Sequence, residues 1–188
     1  MLKKIIPAFM ILTLCSGCIN TAVTGPSVAY KRYNLEHELT DKQIILFIKQ
    51  SIRRNKQFTQ SDIKVDCFNL NVLLTGSTHS DVTQKKVTAI AADTRWVKHV
   101  YNFVKVGPKI TTSKQLKDDW ITTKIKSTII AKAKVDPHHI KVVTENGVVY
   151  LMGILTHSQA KEIVTIARYT KGVKRVIEIF EYYAITHQ

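Results

Sequence analysis

Isoleucine stands at 44, 48 and 52 and again at 121, 125 and 129, an i, i+4, i+8 stripe that predicts one apolar face on each of two helices. The second stripe follows the first by 77 residues, and the same interval maps Ile63-Lys64-Val65 onto Ile140-Lys141-Val142 and Gly76 onto Gly153. Seven of the fourteen aligned pairs between 63–76 and 140–153 are identical, which marks an internal repeat. One residue drops out later, so Val97-Lys98-His99-Val100 matches Val173-Lys174-Arg175-Val176 at an interval of 76. The chain therefore reads as two homologous units, 41–106 and 118–185. Between them, 107–117 carries three lysines and no acid, a short basic linker.

Each unit is predicted to run helix, strand, strand, helix, strand, an α+β fold with helices packed on a three-stranded sheet. Thr40 with Gln43 forms a capping-box pattern that predicts a helix start there, and Thr156 with Gln159 forms another before the apolar face Ala160, Ile163, Val164 and Ala167. Asn146-Gly147 separates two runs of β-forming residues and predicts a type I′ hairpin. The first unit has Asn69-Leu70 at that place; Leu tolerates positive φ poorly, so a different or longer turn is expected. Val148 to Met152 is apolar on both faces, as a central strand should be. Residues 18–40 contain Gly25-Pro26-Ser27 and no clear periodicity, and read as a tether of little intrinsic order.

At the start of the chain, Lys3 and Lys4 precede an apolar run from Ile5 to Leu14 and then Cys15-Ser16-Gly17-Cys18. This is the order of a secretory signal, 1–17, and the run is shorter than the roughly 20 apolar residues a membrane-spanning helix needs. The last five residues, from Leu14 to Cys18, resemble a bacterial lipobox, with Cys15 where Leu is usual. The resemblance implies cleavage before Cys18, acylation of its thiol, and, with Ile19 next, sorting to the outer membrane facing the periplasm.

The 188 residues carry 28 Lys and Arg against 14 Asp and Glu, a formal charge of +14, which favours an anionic partner. Export disfavours nucleic acid and leaves anionic phospholipid. Three cysteines, Cys15, Cys18 and Cys67, are too few for a disulfide framework or a four-ligand zinc site, and no metal or other cofactor is expected.

Asp119-Trp120-Ile121-Thr122-Thr123-Lys124, Thr144-Glu145-Asn146-Gly147, Leu151-Met152-Gly153 and Gly172-Val173-Lys174-Arg175-Val176 resemble the BON (bacterial OsmY and nodulation) domain family, most closely its dual-domain outer-membrane lipoproteins. The resemblance covers the second unit well and the first in outline. It implies a non-enzymatic protein that supports outer-membrane integrity and recognises anionic phospholipid through the second domain. The first unit departs from the pattern at Leu70, where a turn Gly is expected, and at Trp96, which replaces a Gly.

At 100° per residue Trp120 lies about 140° from Ile125, the middle of the core stripe, and is predicted to point outward. The equivalent residue in the first unit is Gln43. Thr123, Lys124 and Ser127 share its side, with Lys126, Lys132 and Lys134 along or just beyond the helix. A Trp among lysines suits a membrane interface; the competing reading packs Trp120 between the two units.

Adjacent His138 and His139 make a poor metal clamp and read as a surface loop. In Thr78-His79-Ser80 and Thr156-His157-Ser158 the hydroxyls are expected to cap helices, and no repeated acid orients the imidazole for catalysis. Cys67 is expected to be an inert thiol, and Glu145 a solvated turn residue. Two non-enzymatic readings remain: a lipid-binding envelope module, and a scaffold whose tandem domains bind an outer-membrane assembly protein.

Overall fold

The isoleucine stripes fold as the periodicity requires. In a computed structural model that describes the backbone of residues 26–133 and 135–183, with side chains from 36 onward, Ile44, Ile48, Ile121, Ile125 and Ile129 are all buried. The first repeat comprises helix α1 (Pro26–Arg54), strands β1 (Asp62–Phe68) and β2 (Asn71–Thr78), helix α2 (Asp81–Ala92), and strands β3 (His99–Asn102) and β4 (Lys105–Val106). The second comprises α3 (Thr112–Lys132), β5 (Ile140–Glu145), β6 (Val148–Leu155), α4 (His157–Arg168) and β7 (Arg175–Tyr182). Both are α-β-β-α-β units. The extra strand of the first arises because its edge strand is interrupted at 103–104, where the backbone N–H of Val104 turns back to the Asn102 side chain at 2.9 Å.

In each sheet the second strand is central. β2 pairs antiparallel with β1 and parallel with β3 and β4, and β6 pairs antiparallel with β5 and parallel with β7. Gly76 sits opposite Ile63, and Gly153 opposite Ile140, so the internal alignment is also a structural one. At Gly76, with φ of +101°, an added Cβ would lie 1.9 Å from the Asp62 carbonyl oxygen, so this position requires glycine.

Helices cover one face of each sheet, and the other two faces pack against each other, giving four layers in the order α, β, β, α. Val149, Leu151 and Leu155 point to α3 and α4, whereas Val148, Tyr150 and Met152 point to the other repeat, where Leu73, Phe68, Tyr101 and Phe103 receive them. This explains why β6 is apolar on both faces. Two cross-repeat ion pairs rim the contact, Lys64 to Glu145 at 2.8 Å and Lys141 to Asp66 at 3.0 Å. The Glu181 carboxylate accepts hydrogen bonds from the side-chain amides of Asn69 and Asn71, at 2.9 and 2.7 Å.

Several expectations are corrected. α1 begins at Pro26, so residues 26–40, read as a tether of little order, are helical. Proline is compatible with a first helical position, and nothing between Ser27 and Arg54 is Gly or Pro to break the run. The span of 26–40 is correspondingly short, since a helix rises about 1.5 Å per residue against about 3.3–3.6 Å extended. Thr40 therefore does not cap a helix. It lies inside one, and its hydroxyl donates to the Glu36 carbonyl at 2.8 Å. The linker 107–117 likewise contributes its last six residues, 112–117, to α3. Glu145 is not a solvated turn residue: it is 7% exposed because its carboxylate crosses to Lys64. Burial opposes the Lys64 charge, but the hydrogen bond and charge of Glu145 outweigh it and hold the ammonium above its ordinary pKa.

The Thr156–Gln159 capping box is present in both of its hydrogen bonds, and Ser80 caps α2. His138 and His139 close a one-turn 3-10 helix.

Candidate lipid-binding site

The local geometry of the site begins with a buried acid. Asp118, about one turn before the first residue of the isoleucine stripe, is 4% exposed, and its carboxylate accepts the backbone N–H of Asn146 at 2.6 Å and of Gly147 at 2.8 Å. Both turn residues have positive φ, +51° and +78°, as a type I′ turn demands. The Lys174 N–H donates to the Gly147 carbonyl at 2.8 Å, and its ammonium donates to the Asn146 carbonyl at 3.0 Å. Thr122 donates to Thr144 at 2.8 Å and ties the next turn of α3 to β5. The hairpin tip is thus held between the start of α3 and the loop after α4.

The first repeat repeats this device. Asp41, 77 residues before Asp118, accepts the backbone N–H of Asn69 and Leu70, both at 2.8 Å. Lys98 donates to the Leu70 carbonyl as Lys174 does to that of Gly147. The expected different or longer turn is therefore absent: Phe68 pairs directly with Asn71 across a two-residue turn, with φ of +49° and +66°. Two charge-assisted bonds to Asp41 hold Leu70 in a conformation that L residues avoid. Asp41 also accepts from the buried thiol of Cys67 at 3.2 Å. Burial first, and the neighbouring carboxylate second, push that thiol well above its ordinary pKa, which leaves it unreactive.

Around the second turn lies a groove of about 450 Å³, lined by Lys114, Lys117, Trp120 and Ile121 of α3, by Asn146 and Gly147, and by Lys171, Gly172 and Lys174. Trp120 is 52% exposed and lies on the outer helical layer, away from the contact between the repeats. All four lysines are exposed, and the one acid in the lining, Asp118, is committed to the turn. The site combines an indole, an aliphatic wall and cations, which can take an anion attached to an apolar group.

The arrangement differs from the sequence reading in which lysines it gathers. Thr123, Lys124 and Ser127 are exposed on α3 as expected, but they lie outside the groove. Ser127 donates to the Lys124 carbonyl at 3.0 Å, a local helix bond. Lys114, Lys117 and Lys171, which meet Trp120 from one end of the helix and from a distant loop, are the residues sequence reasoning missed. The excess of lysine in 107–117 was the only local trace of the first two. Asp118 was also missed, although its recurrence from Asp41 at the repeat interval is visible in the sequence. Cys18 lies outside the described residues, as does Lys134. Among the described residues no helix is long and apolar enough to cross a membrane, and no group of three or more His, Cys, Asp or Glu is placed to hold a metal ion.

The BON domain family matches this chain twice, over residues 40–108 and 117–182. The chain is 30% identical over 186 residues to the outer membrane lipoprotein DolP of Haemophilus influenzae, with 96% of each chain covered. It is 36% identical over 123 residues to the 21 kDa hemolysin of Actinobacillus pleuropneumoniae, covering 65% of this chain and 63% of that protein.

Proposed function

The chain belongs to the BON domain family, in two copies, and from that membership we propose that it is a non-enzymatic outer-membrane lipoprotein, acylated at Cys18, that binds anionic phospholipid through its second repeat and supports membrane integrity. The similarity to the Haemophilus lipoprotein along almost the whole chain supports the compartment and the anchor. The observation that carries the lipid reading is Trp120, half exposed beside four lysines on the second repeat, where the first repeat has Gln43. An exposed indole enters a headgroup region, and each lysine near an anionic surface contributes about 1 kcal/mol.

The test is vesicle sedimentation of the chain from residue 18 onward with Cys18→Ser, so that no acyl chain inserts. Anionic vesicles should bind it and zwitterionic ones should not, with attachment weakening as salt rises. Trp120→Glu should abolish binding without unfolding the repeat, while Gln43→Glu should leave it intact. Equal binding to both lipids would end this reading. Intact mass of the membrane-extracted protein tests the acyl group on Cys18.

One observation favours a second reading, in which the first repeat docks an outer-membrane assembly protein. Leu39, Leu46 and Phe47 are each half exposed or more on the outer side of α1, an apolar stripe that lipid binding by the second repeat does not use. Loss of membrane integrity in a Leu46→Glu variant that still binds vesicles would support it.

A further inference from the structure

Helix α1 carries on its outer side an apolar surface that the shared fold does not require. Leu46 and Phe47 are 67% and 50% exposed, and at the repeat interval the second repeat has Thr123 and Lys124 in their places. Helical spacing sets Leu39, Gln43 and Phe47 in one i, i+4, i+8 row, with Leu46 and Gln50 in the row beside it. The charges along this side are ordered. Exposed acids, Glu36 and Glu38, precede the rows, and exposed bases, Lys49, Arg53 and Arg54, follow them. The second repeat has Ser113 and Gln115 where the acids stand, so the order belongs to the first repeat. Glu38 holds Lys42 at 2.8 Å, an exposed pair that contributes little to stability.

We infer that this face binds the same face of a second copy of the chain, the two α1 helices crossing antiparallel about a twofold axis at Gln43. That crossing sets Leu39 against the partner's Leu46 and carries each acidic end over the basic end of the other helix, whereas a parallel pair brings acid to acid and base to base. The surface is therefore complementary to itself, which is what a twofold contact needs and what singles out a second copy as the occupant. Rows of i, i+4 spacing pack with the helices crossed at about 50°, so they part beyond the leucines and the contact is small. An interface below about 1,200 Å² is that of a transient pair, and chains held on one membrane meet at a higher effective concentration than in free solution. Trp120 lies on the opposite outer layer and stays open in the pair. The inference stands apart from the lipid reading, and it gives the α1 stripe a different occupant from an assembly protein.

The test is sedimentation velocity of the chain from residue 18 onward with Cys18→Ser, at rising concentration. The mass should move from monomer toward dimer by about 0.1 mM, as a small contact requires. Leu46→Thr with Phe47→Lys, the second repeat's own residues, should keep the chain monomeric with its circular dichroism unchanged, and Trp120→Glu should leave pairing intact. Lys49→Glu with Arg53→Glu should weaken pairing, and adding Glu36→Lys with Glu38→Lys should restore it; this charge series carries the test if the Thr/Lys variant fails to fold. Gln43→Cys should form a disulfide-linked dimer on oxidation, because the axis passes there, while Cys67 is buried and does not interfere. Gln50→Cys should not, since seven residues of helix on each side place the two thiols about 20 Å apart.

A chain that stays monomeric throughout overturns the inference and leaves the stripe to an assembly protein. A dimer that survives both the Thr/Lys variant and the Lys49 and Arg53 reversal places the contact elsewhere and overturns it as well. Cross-linking of Gln50→Cys as readily as Gln43→Cys overturns the antiparallel crossing.

Discussion

Replacing Asp41 with Ala tests how a leucine is kept in the left-handed region at a hairpin tip. The substitution removes the acceptor of two backbone donors, Asn69 and Leu70, both at 2.8 Å, beside a residue that is only 6% exposed. A hydrogen bond to a charged group contributes about 1.5–3 kcal/mol, and the two share one acceptor and are not additive, so the loss should be about 3–5 kcal/mol. Domain stability is about 5–15 kcal/mol, and small units lie at its lower end, so the first repeat should be largely unfolded or its hairpin rearranged. Asp118→Ala removes the same pair of bonds but leaves a glycine at the second turn position. It should cost about 1 kcal/mol less, the lower end of the penalty for an L residue in this conformation. Adding Leu70→Gly to Asp41→Ala should therefore recover about 1 kcal/mol. Urea unfolding followed by far-ultraviolet circular dichroism measures the stabilities, and amide resonances of Asn69 and Leu70 report the turn. The reasoning fails if Asp41→Ala unfolds within about 0.5 kcal/mol of the parent, or if the glycine restores nothing.

Tyr150→Ala should cost about 3–5 kcal/mol and loosen the contact between the repeats, because Tyr150 is 2% exposed and its ring lies 4.9 Å from that of Phe103; small-angle scattering and cross-repeat nuclear Overhauser effects would read the separation. Thr156→Ala should destabilise by about 0.5–2 kcal/mol through loss of its cap, whereas Thr40→Ala, inside a helix, should leave thermal stability unchanged or raise it. Cys67 should resist iodoacetamide at pH 8 in the folded chain and react once urea unfolds it, which mass spectrometry would show. Both Cys67 and Lys64 hold their protons more tightly folded than unfolded, so stability should be level below the ordinary thiol value of 9.0 and fall as pH rises through 10.5 and beyond. In Glu145→Gln the Lys64 share of that alkaline loss should shrink, as denaturation midpoints across pH would reveal.

The repeat interval was legible because residue identities recur along the chain, and the isoleucine stripes, the Asn146-Gly147 turn and the Thr156 cap were legible because each is a local pattern, enforced by helical or hairpin geometry within a few residues. The outward direction of Trp120 followed from the same periodicity. Where local pattern competed with longer context, it lost. Thr40 and Gln43 have capping-box spacing, yet the backbone before them is already helical, and a hydroxyl inside a helix bonds the carbonyl four residues back. Leu70 argued against a tight turn on intrinsic preference, but a carboxylate from α1 supplies the bonds that hold it.

What the amino-acid order determined by itself was the pair of units, their strand order and the faces of their helices, since hydrophobic burial at fixed period leaves little choice. Only the tertiary structure decided which cations meet Trp120. Lys124 and Ser127 are its neighbours along the helix, but the Asp118 clamp draws the hairpin tip and the loop at 171–174 against the start of α3, so Lys171 and Lys174 arrive from more than fifty residues away. The sheet-to-sheet packing of the repeats was equally a matter of assembly. It depends on two strand faces meeting across the chain, and on Glu145 and Glu181 finding Lys64, Asn69 and Asn71 there, partners that no spacing within either repeat specifies.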